Sequence, residues 1–87
     1  MSKLKKIVEK IIQGNSDSNI RFEDLRKVLI KLEFVERVRG SHHIYIKKNI
    51  AEIINIQPNG DKAKAYQVKQ VRELIINYKL VNKLIEE

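Results

Sequence analysis

The stretch Arg37-Val38-Arg39-Gly40-Ser41-His42-His43-Ile44-Tyr45 gathers both histidines of this chain beside a glycine turn and two arginines. Imidazole is the side chain whose ordinary titration lies nearest neutrality, so it can take or give a proton at working pH. Arginine holds phosphate oxygens through a planar fork of donors. Glycine at the turn lets a backbone approach a phosphate with no Cβ in the way. Together these are the parts needed to cleave RNA without a metal: a base takes the proton of a 2′-hydroxyl, and that oxygen attacks the neighbouring phosphorus. The competing reading is a surface hairpin whose histidines carry no chemistry.

A second basic run, Lys62-Ala63-Lys64-Ala65-Tyr66-Gln67-Val68-Lys69, stands at the entry to the last predicted helix. A helix N-terminus presents free N–H groups and the positive end of its dipole, so Lys62, Lys64 and Lys69 there would build a phosphate site. Otherwise they are lysines facing water. Tyr45 and Tyr66 are candidates to stack on bases, with packing on the sheet as the alternative for Tyr66.

The elements that must position these groups follow from hydrophobic period. Leu4, Ile7, Val8, Ile11 and Ile12 form the stripe of a first helix over 3–12, with Ser2 as its cap and Gly14 as a left-handed stop. Asn15-Ser16-Asp17-Ser18-Asn19 is a polar loop. Phe22, Leu25, Val28, Leu29 and Leu32 line a second helix over 22–33, with Glu23 and Asp24 in its first turn. The period then falls to two. Val35, Arg37 and Arg39 alternate with Phe34, Glu36 and Val38, Gly40-Ser41 turns the chain, and Ile44 and Ile46 alternate with His43, Tyr45 and Lys47, which predicts an antiparallel hairpin. Ile53-Ile54-Asn55-Ile56 reads as a third strand, ended by Pro58-Asn59-Gly60. The helical period returns from about Tyr66 through Val68, Val71, Leu74, Ile75 and Tyr78, with a possible extension to Val81, Leu84 and Ile85.

The expected fold is α+β, ordered α-α-β-β-β-α, with helices on one face of a three-stranded antiparallel sheet. Its helix–hairpin–strand–helix part is the order of double-stranded-RNA-binding domains. Strand neighbours point to opposite faces, so His42 and His43 cannot do the same job. Parity puts His42 with Ile44 and Ile46 on the helix side, and His43 with Tyr45 and Lys47 on the other. As the first strand residue His42 could instead sit at the rim, so parity alone leaves the choice open.

Composition narrows the class. Eighty-seven residues make one small domain, 43% hydrophobic and 33% charged, which is ordinary soluble-globular composition. No apolar run is long enough to span a bilayer, and the first residues do not read as a secretory signal, so no membrane partner is expected. There is no cysteine, which points to a reducing cytoplasm. Two histidines without cysteine or spaced acidic partners predict neither a metal site nor a cofactor. Lys+Arg 18 against Asp+Glu 11 gives a net charge of +7, a field that favours polyanions, chiefly nucleic acid.

Gly40-Ser41-His42-His43-Ile44-Tyr45, preceded by Arg37 and Arg39, resembles the signature of the HicA toxins, small bacterial, archaeal and phage mRNA interferases of type II toxin–antitoxin systems. Gln57-Pro58 and Lys64-Ala65-Tyr66-Gln67-Val68-Lys69-Gln70-Val71 are similar to a longer subgroup of that family, which the first helix also suits. The likeness runs from about Phe22 to Leu80, within a domain spanning 1–87 whose core would be 22–80 and whose residues 1–14 form the extra helix. It implies that His42, the first histidine after Gly-Ser, is the catalytic one and that it takes the rim position. Gly40 falls on the family's glycine. Gly40 and Ser41 would shape the turn against phosphate, while Arg37, Arg39, Lys62, Lys64 and Lys69 hold the RNA backbone. It further implies mRNA as substrate and a cognate HicB-like antitoxin as partner, with the free toxin a monomer or weak dimer. Two departures stand out. Leu32-Glu33-Phe34 lacks the glycine many members carry between the second helix and first strand. The run after Gln57-Pro58 lacks the second histidine of shorter members, which leaves lysine, His43 or water as the second proton-transfer group. The alternatives are a non-catalytic RNA-binding module and an interaction domain whose basic face meets an acidic protein.

Overall fold

The computed structural model describes residues 3–81, so the Ser2 cap and the extension through Leu84 and Ile85 lie outside the described residues. Helix α1 spans Lys3–Gln13 and α2 spans Phe22–Lys31, with a short 3₁₀ turn at Asp17–Asn19 between them. Strands β1 (Val35–Arg39), β2 (His42–Ile46) and β3 (Ile54–Ile56) follow, then β4 (Pro58–Asn59), β5 (Lys62–Ala63) and helix α3 (Ala65–Asn77). The first three strands form one antiparallel sheet in the order β1-β2-β3. This is the expected α+β, double-stranded-RNA-binding-like arrangement, with helices on one face of the sheet. The β4–β5 hairpin is an addition to it. It is tied to the start of α2 by Ala63 N–H donating to the Ile20 carbonyl at 2.8 Å and Phe22 N–H donating to the Asp61 carbonyl at 3.0 Å.

The core lies between sheet and helices. Val8 and Ile11 from α1, Leu25, Val28 and Leu29 from α2, and Val68, Val71, Leu74 and Ile75 from α3 bury the stripes read from the sequence. Ile54 and Ile56 supply part of the sheet side of this core. Helix α1 is locked on by Arg72 of α3, whose guanidinium donates to the Ile11 carbonyl at 3.3 Å and to Asp17 Oδ1 at 2.8 Å. Gly14, at φ +76°, ends α1 and leaves room for that guanidinium, since a Cβ there would stand 3.1 Å from Arg72 Nη1.

The sheet faces reverse the parity expected from hydrophobicity. Tyr45 is fully buried on the helix side, whereas Ile46 is 42% exposed. The cause is a polar cluster. Glu36 lies directly across from Tyr45 and accepts its phenol at 2.5 Å, and it also accepts Arg26 Nε at 2.5 Å and Nη2 at 2.9 Å from α2. His43 joins the same side, with Nδ1 3.4 Å from Glu36 and its ring edge-on to Phe22 at 4.8 Å between centroids. Arg26 first, then the Tyr45 and His43 contacts, hold the Glu36 carboxyl down at about 2 against the opposing effect of burial. Burial, reinforced by Glu36, pushes the Tyr45 phenol above its usual range. A carboxylate satisfied from three sides is a tolerable interior group, and it draws tyrosine and histidine inward with it.

Helix ends settle two further points. Helix α2 closes in a Schellman motif, with Glu33 N–H donating to the Ile30 carbonyl at 2.9 Å and Phe34 N–H to the Leu29 carbonyl at 3.2 Å. Glu33 takes φ +70°, so the glycine-less handover keeps a glycine-type turn and a non-glycine residue bears the strain. Helix α3 stops in the same way, with Lys79 at φ +56° and Leu80 N–H donating to the Ile75 carbonyl at 2.9 Å. The helix therefore does not run on unbroken from Tyr66 to Val81.

Glu33→Gly should raise unfolding free energy by about 0.5–1 kcal/mol in urea titration, because it relieves the left-handed strain at an exposed site. The carboxyl of Glu36, held at about 2 rather than its ordinary 4.5, contributes stability that is complete above pH 4.5 and is lost as pH falls toward 2. Glu36→Gln should therefore be less stable than the parent by about 3 kcal/mol at neutral pH. The gap should close progressively between pH 4.5 and 2 in the same titration.

Candidate active site

Strand pairing places β1 residues 35, 37 and 39 opposite β2 residues 46, 44 and 42. These six therefore share the sheet face away from the helices, together with Asn55 of β3, which pairs with Ile44. The open face divides by chemistry. One end carries Val35 and Ile46, while the hairpin end carries Arg37, Arg39 and His42. Arg37, Arg39, Gly40, Ser41 and His42 are all exposed.

His42 shares a face with Ile44 and Ile46, as parity predicts, but that face is the open one and not the helix side. Arg39 is its direct partner across the strands. Gly40, at φ +58°, makes the first position of the two-residue loop, and a Cβ there would meet nothing within 4 Å. The tight turn thus leaves the hairpin tip open to a ligand.

Two amides hold the imidazole. Its Nδ1 is 3.3 Å from Asn55 Oδ1, and its Nε2 is 3.3 Å from Gln57 Nε2. Gln57 Nε2 also donates to Ser41 Oγ at 3.3 Å. The backbone of Gln57 is in turn clamped by Gln67 in the first turn of α3. With its amide turned so that the oxygen faces the Gln57 N–H and the nitrogen the Gln57 carbonyl, the orientation that satisfies both groups, Gln67 accepts the one at 3.1 Å and donates to the other at 3.3 Å. Gln67 is 1% exposed, and such a buried amide stays only if its bonds are made. Helix α3 therefore reaches the histidine through the end of β3.

The lysines of the second basic run are spread around this end of the fold. Lys62 is half-buried on β5, Lys64 is the N-cap of α3 three residues before Gln67, and Lys69 is exposed one turn further on. Among the described residues no hydrogen bond joins the three to the hairpin. Tyr66 is 65% exposed, with its hydroxyl 3.4 Å from the Gln67 amide, so it remains able to stack on a base. Tyr45, sealed in the core, cannot. His43 is likewise turned to the opposite side of the sheet from His42, against Glu36 and Phe22.

The structure brings the residues singled out from the sequence, Arg37, Arg39, Gly40, Ser41 and His42, together at one end of the open face. Sequence reasoning missed Asn55, Gln57 and Gln67 as parts of one site, because neutral amides gain meaning only from the register Ile44↔Asn55 and from the packing of α3 on β3. Among the described residues no three histidines, acids or cysteines gather as metal ligands, and no helix is long and apolar enough to cross a membrane.

The model of the family described as HicA toxin of bacterial toxin-antitoxin matches residues 22–76, from the first residue of α2 to the last turn of α3. The matched segment contains β1, the Gly40-Ser41 turn, His42, Asn55, Gln57 and Gln67; α1 lies before it. Neither a curated protein nor a solved structure matches the chain.

Proposed function

The chain belongs to the HicA toxin family of bacterial toxin–antitoxin systems, and from that premise we propose that it is a metal-independent endoribonuclease that cleaves mRNA with His42 as the general base. The observation that carries this reading is the imidazole itself. It stands exposed on an open, cationic sheet face inside the family-matched segment, with Arg39 opposite and two amides fixing its ring.

In this reading the RNA strand lies across the hairpin end of the sheet. His42 takes the proton of a ribose 2′-hydroxyl, and that oxygen attacks the adjacent phosphorus as the bond to the 5′-oxygen breaks. The products are a 2′,3′-cyclic phosphate and a 5′-hydroxyl. Arg37 and Arg39 grip the phosphate oxygens and stabilise the charge that builds on them in the transition state. Gly40 and Ser41 let the backbone close on the same phosphate. Lys62, Lys64 and Lys69 hold the flanking backbone as the strand passes the start of α3. With His43 facing the other way, the leaving oxygen takes its proton from water, and the imidazolium returns its own to solvent.

The working core in this proposal is 22–80 of a single 1–87 domain, with 1–14 as an accessory helix. The free toxin acts as a monomer or weak dimer in the cytoplasm. A HicB-like antitoxin silences it by covering the arginine–histidine face.

Replacing His42 with alanine should slow cleavage of a model RNA by about 10²–10⁴-fold, the usual weight of a positioned base. Circular dichroism and the urea midpoint should stay at parent values, since the ring is exposed. Equal cleavage rates would remove His42 from this role, and RNA retained but never shortened by the parent itself would make the protein a binding module. Affinity of the His42→Ala protein for single-stranded RNA should fall linearly with the logarithm of salt. Arg37→Ala and Arg39→Ala should each reduce that slope by about 0.7; a flat response in the parent would count against the cationic face.

A further inference from the structure

We infer that Asn55 is a positioning residue that fixes the proton of neutral His42 on Nδ1, leaving the Nε2 lone pair as the basic site under the Gln57 amide. The inference rests on the reading of His42 as the base, and it goes further by naming which nitrogen acts and what selects it.

The argument is one of donor and acceptor identity. Asn55 Oδ1 can only accept, so the Nδ1 that faces it at 3.3 Å must carry a proton. Gln57 Nε2 can only donate, so the Nε2 that faces it at 3.3 Å must present its lone pair. Both contacts are satisfied by one tautomer and neither by the other. A histidine side chain free in water favours the opposite arrangement, with the proton on Nε2. The amide on one side and the carbonyl oxygen on the other therefore select the less common form, as the partner of one ring nitrogen sets the state of the other.

The arrangement is also built to last through a turnover. Asn55 lies inside the β2–β3 ladder opposite Ile44, and Gln57 is clamped at both backbone groups by buried Gln67. Neither amide therefore depends on a loose loop. When a 2′-hydroxyl reaches Nε2 it displaces the Gln57 amide from the lone pair, and Gln57 keeps its bond to Ser41 Oγ at 3.3 Å. As Nε2 gains the proton the ring becomes a cation. Its Nδ1–H bond to Asn55 then strengthens, because a charged donor makes the stronger bond. Arg37 and Arg39 are the charged groups of β1 on this face, and the side chains that touch the ring, Asn55 of β3 and Gln57 just after it, are neutral.

The test uses the full chain labelled with ¹⁵N, free of RNA, and long-range ¹H–¹⁵N correlation of the His42 ring above its titration. The parent should carry its proton on Nδ1. Asn55→Ala should move the population toward Nε2–H and lower kcat on a model RNA by tenfold or more, yet by less than His42→Ala. Asn55→Asp keeps an acceptor oxygen, so it should retain the Nδ1–H form. Its negative charge should move both the ring titration and the rising limb of the cleavage pH profile upward by about one unit. A parent ring protonated on Nε2, or an Asn55→Ala protein whose tautomer and kcat match the parent, would overturn the inference. Full activity of His42→Ala would instead overturn the base assignment, a failure that the ring spectra of the free protein would not produce.

Discussion

The Glu36 carboxylate decides which way the sheet faces. Side chains alternate along a strand, so once Glu36 and Tyr45 turn inward to meet Arg26, every neighbour is assigned a side. His43 follows Tyr45 inward and His42 goes out. A one-residue slip of β1 or β2 would expel the phenol and the carboxylate and drive His42 beneath the helices. That would abandon the charge-assisted bonds Arg26 makes to Glu36 at 2.5 and 2.9 Å. The exposure of the His42 imidazole on one face is thus secured by an ion pair on the other.

A second constraint runs through α3. This helix buries Val68, Val71, Leu74 and Ile75 against the core, and the same helix carries Gln67 to the end of β3 and Arg72 to the end of α1. Packing energy from the apolar side therefore supports two polar anchors. One of them fixes the residue that touches His42, and the other fastens α1. Residues 22–76, the part matched by the HicA family model, hold the path from α3 through Gln67 and Gln57 to the ring, whereas the Ile11 carbonyl and the Asp17 carboxylate to which Arg72 donates lie before it.

Much of this was legible in the residues. The helical stripes, the Gly40-Ser41 turn and the order of elements follow from period and turn chemistry, and the histidine–arginine cluster announces itself by residue type. The sheet faces did not follow. Ile44 and Ile46 look like a buried pair beside Tyr45 and His43, and only the partner on α2, ten residues before Glu36, makes the polar side the inner one. The β4–β5 hairpin escaped because two-residue strands have no period. Glu33 at positive φ escaped because its turn normally advertises itself with glycine. At the site, Asn55 and Gln57 are unremarkable amides in the sequence, and only the pairing of β2 with β3 and the hold of Gln67 on Gln57 bring one of them to each ring nitrogen.

The central claim is that RNA is engaged and cut on the open sheet face at the hairpin end. Amide chemical-shift mapping tests it most directly, using ¹⁵N-labelled parent protein and a short RNA whose 2′-hydroxyls are replaced by hydrogen so that it binds without being cleaved. Shifts concentrated on Arg37, Arg39, Ser41, His42, Ile44 and Asn55, extending to Lys64 at the start of α3, are the predicted result. Shifts confined to the outer surfaces of α1 and α2, with the His42 region unmoved at saturation, would contradict it.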